Sequence, residues 1–193
     1  IVVRRKSIVG DDSVDLGPAV RDALARADLL VVCGGLGPTD DDLTRETVAD
    51  VLGRTLTEDS SIVEHLRTRF AARGWTMPEN NRRQASVPEG AVVLFNPCGA
   101  APGLWLDVGD RVVVLLPGPP RELEPMFTAL VDSRLSTRAA PERLYRRVLR
   151  VTGRGESYVE ELTQPVYDRW RQAEPPVTTS VLASPGLVEL HLS

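Results

Sequence analysis

Apolar residues alternate at Ile1, Val3 and Ile8-Val9, which predicts a strand ending at Gly10-Asp11-Asp12, and Val20, Ala23, Leu24 and Ala27 then recur at helical spacing. The run Leu29-Leu30-Val31-Val32-Cys33 predicts a second strand. Val48, Val51 and Leu52 form a stripe stopped by Gly53; Thr44 is expected to be its N-cap, with Glu46 in the first turn, where the helix dipole favours a carboxylate. Ile62, Val63, Leu66 and Phe70 predict a helix over 60–73, closed by Gly74.

Strands are predicted over 91–95, 104–108 and 111–116, the last two joined at Gly109-Asp110, residues that tolerate positive φ. Leu123, Met126, Phe127, Leu130 and Val131 mark one helix face, with Pro125 expected in the first turn or at a kink. From 133 to 142 the apolar content falls, as in a linker. A strand over 144–152, a helix over 158–170 and two short strands around Ala183-Ser184-Pro185-Gly186 follow. Domains are expected at 1–137 and 138–193. Continuous apolar strands separated by amphipathic helices argue for an α/β fold whose mainly parallel sheet is covered on both faces, with ligands beyond the carboxyl ends of its strands.

Composition narrows the functional classes. The 193 residues are 42% hydrophobic and carry a net charge of −4, so no concentrated basic face is expected and no nucleic-acid partner is assigned. No apolar run approaches the roughly 20 residues that cross a bilayer, and the first residues lack the apolar region of a secretory signal, so a cytoplasmic protein with no membrane partner is expected. Because the chain opens at Ile1 within a strand-like alternation, it is read as a fragment. Cys33 and Cys98 suit neither a disulfide framework nor a C-x-x-C site, and Cys33 is read as a small core residue. His65 and His191 have no relay partners in the sequence and no G-x-S-x-G elbow is present, which sets covalent acyl transfer aside.

The chemistry concentrates in 34–46, GGLGPTDDDLTRE, directly after the second strand. Glycines let backbone approach a phosphate, a helix N-terminus offers free N–H groups, and adjacent carboxylates favour a bound cation that offsets their repulsion. Acids at a helix start are also purely stabilising in many proteins. Asp11-Asp12 add acids after the first strand. The 80–85 segment NNRRQA reads as a polar loop in which Arg83 suits a phosphate oxygen. Asn96-Pro97-Cys98-Gly99 and Leu116-Pro117-Gly118-Pro119-Pro120-Arg121-Glu122 place further glycine turns beside strands. Alone, NNRRQA reads more readily as a solvated loop, Gly10-Asp11-Asp12 equally as a turn, the 96–103 segment also as a tight connection, and the 116–122 segment also as a proline-started helix with no ligand.

In order, GGLGPTDDDLTRE, NNRRQA with PEGA, NPCGAAPG and LPGPPREL resemble the N-terminal domain of the CinA family, competence/damage-inducible protein A, over 1 to about 135. The resemblance implies a three-layer α/β sandwich similar to the molybdopterin-binding fold, followed by a small α+β KH-like domain. It also implies hydrolysis of ADP-ribose, or a related nucleotide, at its pyrophosphate with a divalent cation, Mg²⁺ or Co²⁺, by a homo-oligomer, a dimer in the family. Carried onto this sequence, Gly34, Gly35, Gly37 and Thr39 cradle phosphates, and Asp41 and Asp42 are metal ligands or acid/base groups. Asp12 is a further metal candidate, and Thr44, Arg83, Asn96, Gly99, Gly118 and Glu122 line the ligand. The family's first strand and helix, with a glycine-threonine-glutamate segment, have no counterpart before Ile1. Ala100 replaces a threonine usual in the third motif, and the amidase domain lies beyond Ser193. RNA binding is not carried over, because Gly153-Arg154-Gly155-Glu156 is no G-x-x-G clamp. The alternative function is a non-catalytic module that binds a nucleotide or molybdopterin and assists assembly.

Overall fold

The structure, a computed structural model, describes residues 1–138 and 145–193. The chain divides into two compact units, Ile1–Ala139 and Ala140–Ser193.

In the first unit the regular elements are α1 (Ser13–Arg26), β1 (Leu29–Cys33), α2 (Thr44–Val51), β2 (Leu56–Glu58), α3 (Ser60–Ala71), a 3₁₀ helix (Glu79–Ala85), β3 (Ser86–Pro88), β4 (Val92–Leu94), β5 (Gly103–Val108), β6 (Arg111–Leu116) and α4 (Pro120–Leu130). A π-helical turn (Val131–Leu135) and a short helix, α5 (Ser136–Arg138), extend α4. The main sheet has the order β1-β6-β5-β4. β1 and β6 are parallel, whereas β6, β5 and β4 pair antiparallel, so the sheet is mixed and its parallel character rests on the β1–β6 pair. The short Gly109-Asp110 turn forces this, because two residues can reverse a chain but cannot cross it over to a parallel neighbour.

Side-chain alternation along β6 divides the core. Val113 and Leu115 pack with Val20, Leu24, Val48, Ile62 and Leu66 from α1, α2 and α3, while Val112, Val114 and Leu116 pack with Met126 and Leu130 of α4. β6 thus buries both faces, which explains its uninterrupted apolar sequence, and helices on the two sides of the sheet make a three-layer α/β sandwich. α3 is started by Asp59, whose carboxylate accepts from the N–H groups of Ser61 and Ile62, and Gly74 at φ +73° follows its end.

Several expectations are corrected. No strand forms over 1–9: Ile1, Val2, Val3 and Ile8 are exposed and the segment pairs with no strand among the described residues, so its apolar alternation has no face to bury. Thr44 is the first residue of α2, not its cap; position 43 precedes the helix without a side-chain cap. Pro125 is the sixth residue of α4, beyond the first turn, because the helix starts at Pro120. Residues 133–138 are helical rather than linker, carried on by the Leu135 side chain, which is buried against the α4 layer; the rest of the expected linker, 139–142, and the predicted strand start at 144 lie outside the described residues. Cys33 is exposed, since β1 is an edge strand and its last side chain stands at the rim.

The second unit contains β7 (Arg147–Thr152), α6 (Glu156–Arg171), β8 (Thr179–Ser184) and β9 (Leu187–Leu192). Its three strands form an antiparallel sheet of order β7-β9-β8, and Val159 and Tyr167 of α6 and Val188 and Leu190 of β9 are buried. Arg150 and Glu189 are directly opposite on β7 and β9 and form a 2.7 Å ion pair.

Candidate functional site

Parallel pairing sets the carboxyl ends of β1 and β6 side by side, with Cys33 opposite Leu116. The pairing continues one residue further, where the Gly34 N–H donates to the Leu116 carbonyl at 2.9 Å. Gly34 and Gly35 both have positive φ, +99° and +66°, which turns the chain sharply off the sheet. At Gly35 a side chain would also collide with Thr44. Because β5 runs antiparallel to β6, the 95–102 loop before β5 lies at this same end, and three loops, 34–43, 95–102 and 117–119, share one rim of the sheet.

The acidic loop is closed at its neck by the Thr44 N–H, which donates to the Gly35 carbonyl at 3.1 Å. Inside it, Asp42 turns back: one carboxylate oxygen accepts from the Thr39 N–H at 3.0 Å and from the Thr39 hydroxyl at 2.5 Å. Gly37 makes room for this, because a Cβ there would overlap the Asp42 carboxylate. Partial burial works to raise the Asp42 pKa. Hydrogen bonds from the Thr39 hydroxyl and from the N–H groups of Thr39 and Gly37, with the positive charge of Arg45, outweigh it and hold the carboxyl below its ordinary range. Asp41, by contrast, is exposed and its carboxylate has no hydrogen bond among the described residues.

Arg83 does not point to a free phosphate subsite in this state. It stands on the 3₁₀ helix, where the sequence suggested an open polar loop; Asn81, Gln84 and Ala85 are buried there. Its guanidinium donates to the Thr39 carbonyl at 2.8 Å and the Asp42 carbonyl at 3.3 Å, and pairs with Glu46 at 3.2 Å and Asp40 at 3.4 Å. It therefore binds the acidic loop itself.

On the neighbouring loop Asn96 is buried. Its side-chain oxygen accepts from the N–H groups of Cys98 and Gly99, at 3.0 and 2.7 Å, and its amide donates to the Ala101 carbonyl at 2.8 Å and to Glu122 at 2.9 Å. Gly99 lies so close that a Cβ would overlap the Glu122 carboxylate. Asn96, Gly99 and Glu122 are thus brought together, but they spend their polar groups on one another and lock the loop to the start of α4.

Asp12 is placed differently from expectation. Its carboxylate accepts from the Val14 N–H at 2.8 Å and caps α1. Among the described residues no group of three or more His, Cys, Asp or Glu side chains is arranged to hold a metal ion, so Asp12, Asp41 and Asp42 do not converge. The reason is local: Asp12 faces its own helix and Asp42 faces Thr39. Of these three acids, Asp41 alone is exposed with no hydrogen bond to its carboxylate among the described residues. Cys33, although exposed, has its thiol pKa raised by the protein around it, which opposes a thiolate nucleophile.

Sequence reasoning missed Arg45 and Glu46. Arg45 is 1% exposed and donates to the Leu36 carbonyl at 2.7 Å, beside the neck of the acidic loop. The available signal was an arginine amid helix positions that otherwise face the core, next to the buried Val48 and Ala49.

Fold and site define a three-layer α/β domain with a glycine-turn rim at the end of its parallel strand pair, carried in one chain with a smaller α+β unit. The chain belongs to the MoCF_biosynth family, described as "Probable molybdopterin binding domain", whose profile matches residues 1–137. A CinA-like protein of Acidobacterium capsulatum is 42% identical over 197 residues, covering 100% of this chain and 47% of its own length. Another, from Solibacter usitatus, is 44% identical over 193 residues, covering 100% of this chain and 45% of its own. The chain therefore spans about half the length of these relatives. The crystal structure of CinA from Thermoplasma acidophilum, described as of unknown function, is 35% identical with a TM-score of 0.58, over 63% of this chain and 71% of that one. No helix among the described residues is long and apolar enough to cross a membrane.

Proposed function

We propose that the rim formed by the 34–43 and 117–119 loops binds the pyrophosphate of ADP-ribose or a related nucleotide, and that the protein hydrolyses it with a divalent cation, Mg²⁺ or Co²⁺. The observation that carries this reading is the meeting of two glycine turns at the carboxyl ends of β1 and β6, beside an exposed acid, Asp41, that makes no internal hydrogen bond among the described residues. Backbone can approach phosphate oxygens closely at such turns. Asp41 would hold the cation, with Asp42 kept ionised beside it; the cation would supply charge neutralisation across the two phosphates. Water then attacks one phosphorus, the bridging P–O bond breaks, and AMP and ribose 5-phosphate leave. We further propose a cytoplasmic homodimer and a KH-like second unit.

A second reading, a non-catalytic module that binds a nucleotide or molybdopterin, is favoured by the absence of a three-acid metal cluster among the described residues and by the description of the matching family. Calorimetric titration separates the two. ADP-ribose binding that weakens at least tenfold when Mg²⁺ is chelated supports the catalytic site. Cation-independent binding of an intact nucleotide without turnover supports the module, and absence of any nucleotide binding contradicts both nucleotide readings.

A further inference from the structure

Arg45 is nearly inaccessible to solvent, yet its pairing is incomplete. Nη2 donates to the Leu36 carbonyl at 2.7 Å, whereas Nη1 lies 3.6 Å from Glu46 Oε1, close enough for an ion pair and too far for a hydrogen bond. Glu46 Oε1 also receives Arg83, from Nε at 3.4 Å and Nη2 at 3.2 Å. Among the described residues, Arg45 Nη1 and Glu46 Oε2 are buried without a hydrogen-bond partner. Burial lowers the Arg45 pKa, with Glu46 working in the other direction.

Stability alone does not account for this arrangement. A buried ion pair recovers its desolvation cost only with good geometry and satisfied partners, and an apolar residue of similar volume at position 45 would leave no donor stranded. The cluster does, however, tie the neck of the acidic loop to its two later carbonyls. Arg45 holds Leu36 at the neck, Glu46 stands between the two guanidiniums, and Arg83 holds the Thr39 and Asp42 carbonyls that flank Asp40 and Asp41. We infer that Arg45 and Glu46 are positioning residues that aim the Arg83 guanidinium and so fix the shape of the loop carrying Asp40, Asp41 and Asp42. The site served is the one proposed above, but the loop-fixing role is measurable without turnover.

Amide hydrogen exchange on the whole chain tests it. Glu46→Gln preserves size and one acceptor but removes the charge that orients both guanidiniums. Exchange in residues 37–43 should become at least tenfold faster, while β1 and β6 amides keep their protection. Arg83→Gln, at a half-buried position, should give the same local result if Glu46→Gln loosens the whole fold. Arg83→Lys should fail to restore protection, because an ammonium cannot span two carbonyls as the guanidinium fork does. Unchanged exchange in 37–43 for both Glu46→Gln and Arg83→Gln would overturn the inference, as would full protection with Arg83→Lys. Where the wild type hydrolyses ADP-ribose, Glu46→Gln should lower kcat at least tenfold with KM changed less than threefold; the reverse split would count against positioning of the acids. Absence of hydrolysis in the wild type would strike the proposed function and leave the exchange result to decide this one.

Discussion

Gly34 and Gly118 touch backbone to backbone: a Cβ built on Gly118 would stand 3.3 Å from the Gly34 Cα. This contact joins the loop after β1 to the loop after β6 and sets the width of the rim between them. Glycine at both positions is a consequence of strand pairing, which continues past the sheet to the Gly34 N–H.

Gly35→Ala tests whether the turn is under steric control. Its φ of +66° and the Thr44 side chain in the way both oppose a methyl group. We expect a loss of about 1–3 kcal/mol in urea denaturation, in the range of a residue forced into unfavourable backbone space. Gly118→Ala should cost less, because its φ is not positive and its neighbour must yield by only a few tenths of an ångström.

Asn96→Ala should be more damaging to the fold than to any ligand. It would strand the Cys98 and Gly99 N–H groups and remove the donor to Glu122 in a buried setting. A loss of about 2–4 kcal/mol is expected, roughly one to three for each polar group left unpaired and not compensated by water. Thermal unfolding of the variant checks it; an unchanged Tm would show that the lock does not hold the loop.

The pH dependence of Asp42 has a definite sign. Its folded pKa is lowered, so the folded state binds this proton less readily than the unfolded state. The resulting stabilisation is fully present above the ordinary carboxyl pKa of about 3.9 and is lost as pH falls through the lower folded value. The stability gap between wild type and Asp42→Asn should therefore be widest near neutral pH and shrink below about pH 4. A gap that grows on acidification would contradict the hydrogen-bond pattern at Thr39.

The contrast between β6 and the 34–46 loop shows what was legible in the sequence. The short apolar run of β6, bounded by turn residues, forms a strand buried on both faces, and Gly109-Asp110 fixes its hairpin with β5. The 1–9 segment, apolar at both ends but interrupted by Arg4-Arg5-Lys6-Ser7, pairs with no strand among the described residues and stays irregular, because strand formation depends on a neighbour that local sequence does not name. At the site, the 34–46, 96–99 and 116–122 motifs fall at one rim while NNRRQA forms a 3₁₀ helix, and residue roles turned on directions: Asp12 to a helix end, Asp42 to Thr39, Arg83 to carbonyls of the acidic loop. The Asp12 and Asp42 directions are set by partners two and three residues away, whereas that of Arg83, and with it the importance of Arg45 and Glu46, follows from contacts between residues far apart in sequence.

Direct assay of ADP-ribose hydrolysis tests the central claim. With Mg²⁺ or Co²⁺ the protein should release AMP and ribose 5-phosphate in equal amounts, chelation should stop the release, and Asp41→Asn should slow it at least about tenfold, the scale of losing one charge-stabilising contact. Absence of AMP from folded protein with either cation, or an Asp41→Asn variant as fast as wild type, would contradict the account.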